Sequence, residues 1–156
     1  MTKIILIKGS TNSHKTGSAR EFASSYLTSF TYIGYSPTTP TGGLSGIPAT
    51  GDFVAVGTYT KNGIAYTVGV ASAGDTGTLI DTNVAYFGSL PNLDIIVTCS
   101  KSSGTSVDRI LHHIYDPTGT FYGSLLHVTS TFKFAAGSPN IVIDQTRVVN
   151  DIIQLI

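Results

Sequence analysis

The chain has 156 residues and a mass of 16.4 kDa, with nine basic residues, nine acidic ones and only 12% charged side chains. That balance excludes a basic footprint for nucleic acid, and 41% hydrophobic residues with a mean hydropathy of +0.21 exclude a disordered chain. A lone Cys99 excludes an intramolecular disulfide, and no apolar run approaches the roughly 18 residues of a membrane-spanning helix. The expectation is one soluble, cytoplasmic domain over residues 1–156, with neither nucleic acid nor membrane as partner. Serine and threonine make up about a quarter of the chain and Glu21 is its single glutamate, so each charge can be weighed singly.

Lys3 to Lys8 is a continuous apolar run between two lysines, the pattern of a strand buried on both faces. A small polar loop, Gly9 to Thr16, follows. Ala19, Phe22, Ala23, Tyr26, Leu27 and Phe30 then recur at helical spacing, which predicts an amphipathic helix. Ser36 to Gly51, rich in proline and glycine, predicts a long surface loop. Phe53 to Thr60 and Ile64 to Ala71 flank Lys61-Asn62-Gly63, an antiparallel hairpin signal. A short helix is expected through Ile80, Val84 and Phe87, ending near Gly88. Leu93 to Cys99 reads as a second buried strand with Asp94 at its mouth. Val107, Ile110, Leu111 and Ile114 share one helical face after the loop Ser100 to Gly104. A last strand is expected over Leu125 to Ala135, and a closing helix through Val148, Val149, Ile152, Ile153 and Ile156. The predicted fold is α/β: a mostly parallel, three-layer sheet opening on strand, glycine loop and helix, with one antiparallel hairpin.

Gly9-Ser10-Thr11-Asn12-Ser13-His14-Lys15-Thr16 carries the chemistry. A loop between a buried strand and a helix aims backbone N–H groups and the partial positive charge of the helix at a phosphate. The segment resembles a divergent Walker A motif of the P-loop NTPase superfamily, with His14 at the position of the second glycine. The resemblance implies that Lys15 reaches the β/γ-phosphates of ATP or GTP and that the Thr16 hydroxyl ligates Mg²⁺. It also implies a carboxylate near the end of a neighbouring strand. The first one after Ile64 to Ala71 is Asp75; Asp52 stands before the hairpin as a substitute, and capping the next helix is the structural alternative for Asp75. Lys15 and Asp75 are therefore the candidate catalytic residues, and Thr16 and Asp75 the candidate metal ligands. Gly9, Asn12, Ser13, His14, Lys15, Thr16 and Lys101 are the candidate ligand-binding residues.

In part, the order of elements also resembles a small GTPase, with Ser72-Ala73-Gly74 similar to its switch loop, although Ala71 stands where that family has aspartate. No guanine-reading Asn-Lys-x-Asp follows Thr98, so the base stays unassigned. Lys101 lies in a second polar loop, where it would contact phosphate or ribose if it is not simply part of a helix-capping turn. Cys99 lacks the arginine six positions on that a cysteine phosphatase needs, and Thr105 is there instead; a core thiol is the better reading. His112 and His113 point about 100° apart on a helix and do not chelate one metal together. Only Arg20, Arg109 and Arg147 are present, too few for a kinase lid. These observations favour phosphate binding, with slow NTP hydrolysis or switch-like binding, over vigorous turnover. Two alternatives stay open: a flavodoxin-like domain holding FMN phosphate on Gly9 to Asn12, and a non-catalytic assembly protein on a degenerate P-loop scaffold. A homo-oligomer would let a partner chain supply a missing arginine or carboxylate.

Overall fold

A computed structural model describes residues 2–156. Among the described residues, four helices and seven strands follow one another as β1 (Lys3–Lys8), α1 (Lys15–Tyr26), β2 (Thr28–Ser36), β3 (Thr39–Pro40), β4 (Val54–Lys61), β5 (Ile64–Ala71), α2 (Gly77–Gly88), β6 (Ile95–Ser100), α3 (Thr105–Tyr115), β7 (Leu125–Ser130) and α4 (Asn140–Leu155). The strands form a single sheet in the order β3-β2-β4-β5-β6-β1-β7. Among the described residues, no helix is long and apolar enough to cross a membrane.

The continuous apolar runs become the centre of the sheet. In β1, Ile4 and Leu6 face one layer of helices and Ile5 and Ile7 the other, and every residue of β6 is buried. Ile5 and Ile7 pack with Phe22 of α1 and with Val148 and Ile152 of α4. On the opposite face, Leu6 packs with Ile80 and Val84 of α2 and with Val107 and Ile110 of α3. Burying each such aliphatic side chain is worth about 1.5–3 kcal/mol relative to exposure, which makes these two layers the principal source of cohesion.

The sheet is evenly mixed rather than mostly parallel. β5, β6, β1 and β7 pair in parallel, whereas β2, β3 and β4 join antiparallel. The difference comes from β2, which the helical reading overran. Phe30 continues the spacing of α1 by coincidence, but Leu27 is already extended and closes the helix with its N–H on the Ala23 carbonyl. The following Thr-Ser-Phe-Thr-Tyr-Ile favours a pleated strand, because branched and aromatic side chains pack well there. The hairpin forms as expected: Asn62 and Gly63 both take positive φ, the type I′ geometry that suits strand twist. β7 is shorter than the predicted run. It stops at Ser130, and Thr131 leaves the ladder after donating its N–H to the Lys8 carbonyl.

α2 and α3 are bound together through Asp81. Its Oδ1 accepts from Arg109 Nε at 3.0 Å and from His113 Nε2 at 2.8 Å. Burial alone would raise the Asp81 carboxyl, but the hydrogen bonds from His113 and Arg109 outweigh it and hold the group below its ordinary value of 3.8. A lowered carboxyl adds stability above its unfolded pKa, and that stability is lost as pH falls through the folded value. Asp81→Asn should therefore lower the urea midpoint at pH 7, and the gap from wild type should narrow below about pH 4. A gap unchanged from pH 7 to pH 3 would refute this ionic role.

Candidate functional site

The parallel block brings the loops after β1, β5, β6 and β7 to one edge of the sheet, since Lys8 lies beside both Ser100 and Ser130 and Ala71 beside Thr98. β1 is also where the chain changes direction, with β6 on one side and β7 added last on the other. That arrangement opens a crevice at the carboxyl ends of the strands. A cleft of about 280 Å³ lies there, lined by residues 12–16 of the β1–α1 turn, by Asp52, by residues 72–75 after β5, and by Leu79.

The β1–α1 turn is tightly built. Asn12 and His14 both adopt left-handed backbone, with φ of 60° and 54°. Gly9 is required by close approach: a Cβ there would stand 2.0 Å from Thr131 Oγ1 and 2.3 Å from Ser13 Oγ. Ser13 donates to the Ser10 carbonyl at 2.6 Å and accepts from Thr131 at 2.7 Å. Lys15 is 7% exposed and folds back over the turn, its Nζ donating to the carbonyls of Gly9 at 3.0 Å and Ser10 at 2.8 Å. Asp75 Oδ1 stands 3.5 Å from the same nitrogen. No side chain caps the start of α1 and no carboxylate stands in its first turn, whereas Thr76 caps α2 through the Leu79 N–H. The first N–H groups of α1 are thus left for other acceptors.

A second cluster joins three elements beside it. Thr16 Oγ1 donates to Asp52 Oδ1 at 3.1 Å, and Ser72 Oγ donates to the same oxygen at 3.0 Å. Ser72 in turn accepts from the Phe53 N–H at 2.9 Å, which fixes the entry of β4 against the exit of β5. The long loop ahead of Asp52 is held by Arg20 of α1, which donates to the carbonyls of Pro48 and Gly51. Asn83 of α2 donates to the Ala73 carbonyl at 2.8 Å and steadies residues 72–75.

Thr16, Lys15, Asp52 and Asp75 are therefore brought together, but the carboxylates divide their partners. Asp52 meets the Thr16 hydroxyl, and Asp75 meets Lys15. Lys101 does not line the cleft; its backbone N–H is taken by Ser106 Oγ at 3.0 Å. Cys99 is fully buried, and burial pushes its thiol up to about 12 against the opposing effect of Lys15, so it is a core residue rather than a nucleophile. His112 and His113 face Asp116 and Asp81 respectively, away from the cleft. Among the described residues, no group of three or more His, Cys, Asp or Glu side chains is arranged to hold a metal.

The imidazole of His14 does not reach toward the cleft as a free group. Its Nε2 donates to Asp144 Oδ2 of α4 at 2.6 Å, with both side chains nearly buried. Asp144 has no place in the sequence-based site, although a signal existed. It shares the i, i+4, i+8 stripe with Val148 and Ile152, and a carboxylate on an apolar stripe needs a buried partner. Spacing could not show that the partner lies 130 residues earlier. The chain matches no family model, no curated protein and no solved structure.

Proposed function

We propose that this chain is a P-loop-like nucleotide-binding protein that holds the phosphates of ATP or GTP on the β1–α1 turn, with Mg²⁺ as cofactor and slow hydrolysis at most. One observation carries the reading: a nearly buried lysine curls over a strand-to-helix turn whose helix start is uncapped, on the wall of an open polar cleft. Unpaired backbone N–H groups and the helix dipole favour an anion, and a lysine beside them adds positive charge. Lys15 would exchange the Gly9 and Ser10 carbonyls for phosphate oxygens, a change from neutral acceptors to anionic ones.

The donor set beside the turn suits a hard cation, because the Thr16 hydroxyl and Asp52 carboxylate supply oxygens alone. Thr16 and Asp52 would hold Mg²⁺, which would neutralise charge on the bound phosphates. Asp52 is the better-placed carboxylate for that role, since Asp75 already faces Lys15. All three arginines are engaged outside the cleft: Arg20 with Pro48 and Gly51, Arg109 with Asp81, and Arg147 with Asp144 and Asp151. That supports binding ahead of rapid phosphoryl transfer, which draws on arginine for the transition-state charge.

A thermal-shift series with ATP, GTP, their diphosphates and FMN, each with and without Mg²⁺, tests the reading. A triphosphate at about 100 times its Kd should stabilise the fold by about 2.7 kcal/mol, and Mg²⁺ should enlarge the effect. A shift with FMN alone, or with none of the ligands, would overturn it.

A further inference from the structure

We propose that Asp144 is a positioning residue for the phosphate-binding turn, holding His14 in the left-handed backbone that a glycine would adopt unaided; this rests on the nucleotide reading above. His14 sits at φ 54° and ψ 30°, immediately before the first residue of α1. For a residue with a Cβ that conformation is unfavourable, and it persists only where surroundings hold it. The surroundings here are specific. Asp144 Oδ2 accepts from His14 Nε2 at 2.6 Å and from the Phe132 N–H at 2.9 Å, while Oδ1 accepts from Arg147 Nε at 2.8 Å. The carboxylate is thus fixed from two sides, by Phe132 and Arg147, before it touches the turn. The imidazole lies parallel to the Phe134 ring, at a centroid distance of 6.2 Å and an angle of 15°.

The His14 side chain is therefore anchored at its far end, and its φ and ψ orient the peptide that joins it to Lys15. That peptide leads into the lysine curled over the turn, and Ser13 on the other side is pinned by Ser10 and Thr131. Where a glycine supplies conformational freedom, this chain supplies a tether from α4. The tether also places a carboxylate close to an anion site, a cost that Arg147 on the same carboxylate offsets.

A double-substitution cycle, read as affinity for Mg²⁺–ATP and for inorganic pyrophosphate, separates positioning from general support. Asp144→Ala should weaken both ligands about tenfold, the scale of one left-handed residue losing its restraint. His14→Gly is the reference background, where glycine adopts positive φ freely and whatever the imidazole itself adds to binding is already gone. In that background Asp144→Ala should change affinity by less than about threefold, against about tenfold in the wild-type background. A purely structural role, through Phe132 and Arg147, would cost the same in both backgrounds. An Asp144→Ala loss as large in the His14→Gly background as in wild type, or an Asp144→Ala variant that binds as tightly as wild type or tighter, overturns the proposal. Asp144→Asn, which keeps the side-chain shape, should weaken binding in the same direction and serves if the alanine variant does not fold. Amide hydrogen exchange of the ligand-free protein gives a reading that needs no nucleotide. Asp144→Ala and Asp144→Asn should speed exchange of the Ser18 amide, which donates to the His14 carbonyl at 3.0 Å, about tenfold while the amides of β1 stay protected. If wild type binds neither probe, the nucleotide reading fails, and this exchange comparison still decides the tether: an unchanged rate at Ser18 refutes it.

Discussion

Lys15→Ala should abolish the nucleotide-induced rise in Tm and weaken Mg²⁺–ATP by about a hundredfold or more. Two charge-assisted hydrogen bonds to phosphate at about 1.5–3 kcal/mol each account for that loss. The effect on the free protein should be smaller. Lys15 gives up bonds to the Gly9 and Ser10 carbonyls, which the open cleft allows water to replace, and it leaves Asp75, about half exposed, with solvent. Calorimetric titration with the free-protein Tm recorded alongside separates the two effects. Lys61→Ala makes the same charge change at the far end of the hairpin, where Nζ donates to the Ile153 carbonyl, and should leave affinity within about twofold. Equal losses in the two variants would mean that net charge, and not this lysine, governs binding.

The legible parts of the fold were those where one local signal decides. Lys3 to Lys8 could only be a strand buried on both faces, and Asn62-Gly63 could only be a tight turn, since both residues need positive φ. β2 was hidden because Phe30 falls at a spacing that suits a helix as well as a strand, and the decision belongs to pairing with β4. The Gly9 to Thr16 turn could be read because its residues are contiguous. The rest was legible only in part: Asp75, Asp52 and Ser72 to Gly74 were candidates, but nothing local shows which of them meet, and Asp144, outside the cleft lining, arrives from another distant segment. The sequence put Asp75 first and Asp52 as its substitute, and only the closure of β4 on β5 through Ser72 and Phe53 gives Asp52 to Thr16 and leaves Asp75 to Lys15. Lys15, Asp52 and Asp75 line the cleft, while Arg109 ties α3 to α2 and Arg147 ties α4 to the end of β7.

Gly74→Ala should be the most destabilising single-methyl change in the cleft, costing about 3 kcal/mol in urea unfolding. A Cβ at Gly74 would stand 1.7 Å from the Cys99 carbonyl oxygen and 2.4 Å from its carbon. Those atoms are backbone of β6, which is hydrogen-bonded to β1 on one side and β5 on the other and packed on both faces. β6 cannot retreat, so the loop after β5 must lift. Ser72 would then leave Asp52, the Ala73 carbonyl would leave Asn83, and Asp75 would swing off Lys15. Stability and ligand binding should fall together, which distinguishes this position from Lys15, where binding falls first. Gly43→Ala is the matched comparison, because nothing lies within 4 Å of its Cβ and its φ is ordinary; the change there should stay within about 0.5 kcal/mol. A Gly74→Ala protein with the stability of Gly43→Ala would show that the loop after β5 does not rest on β6 as described.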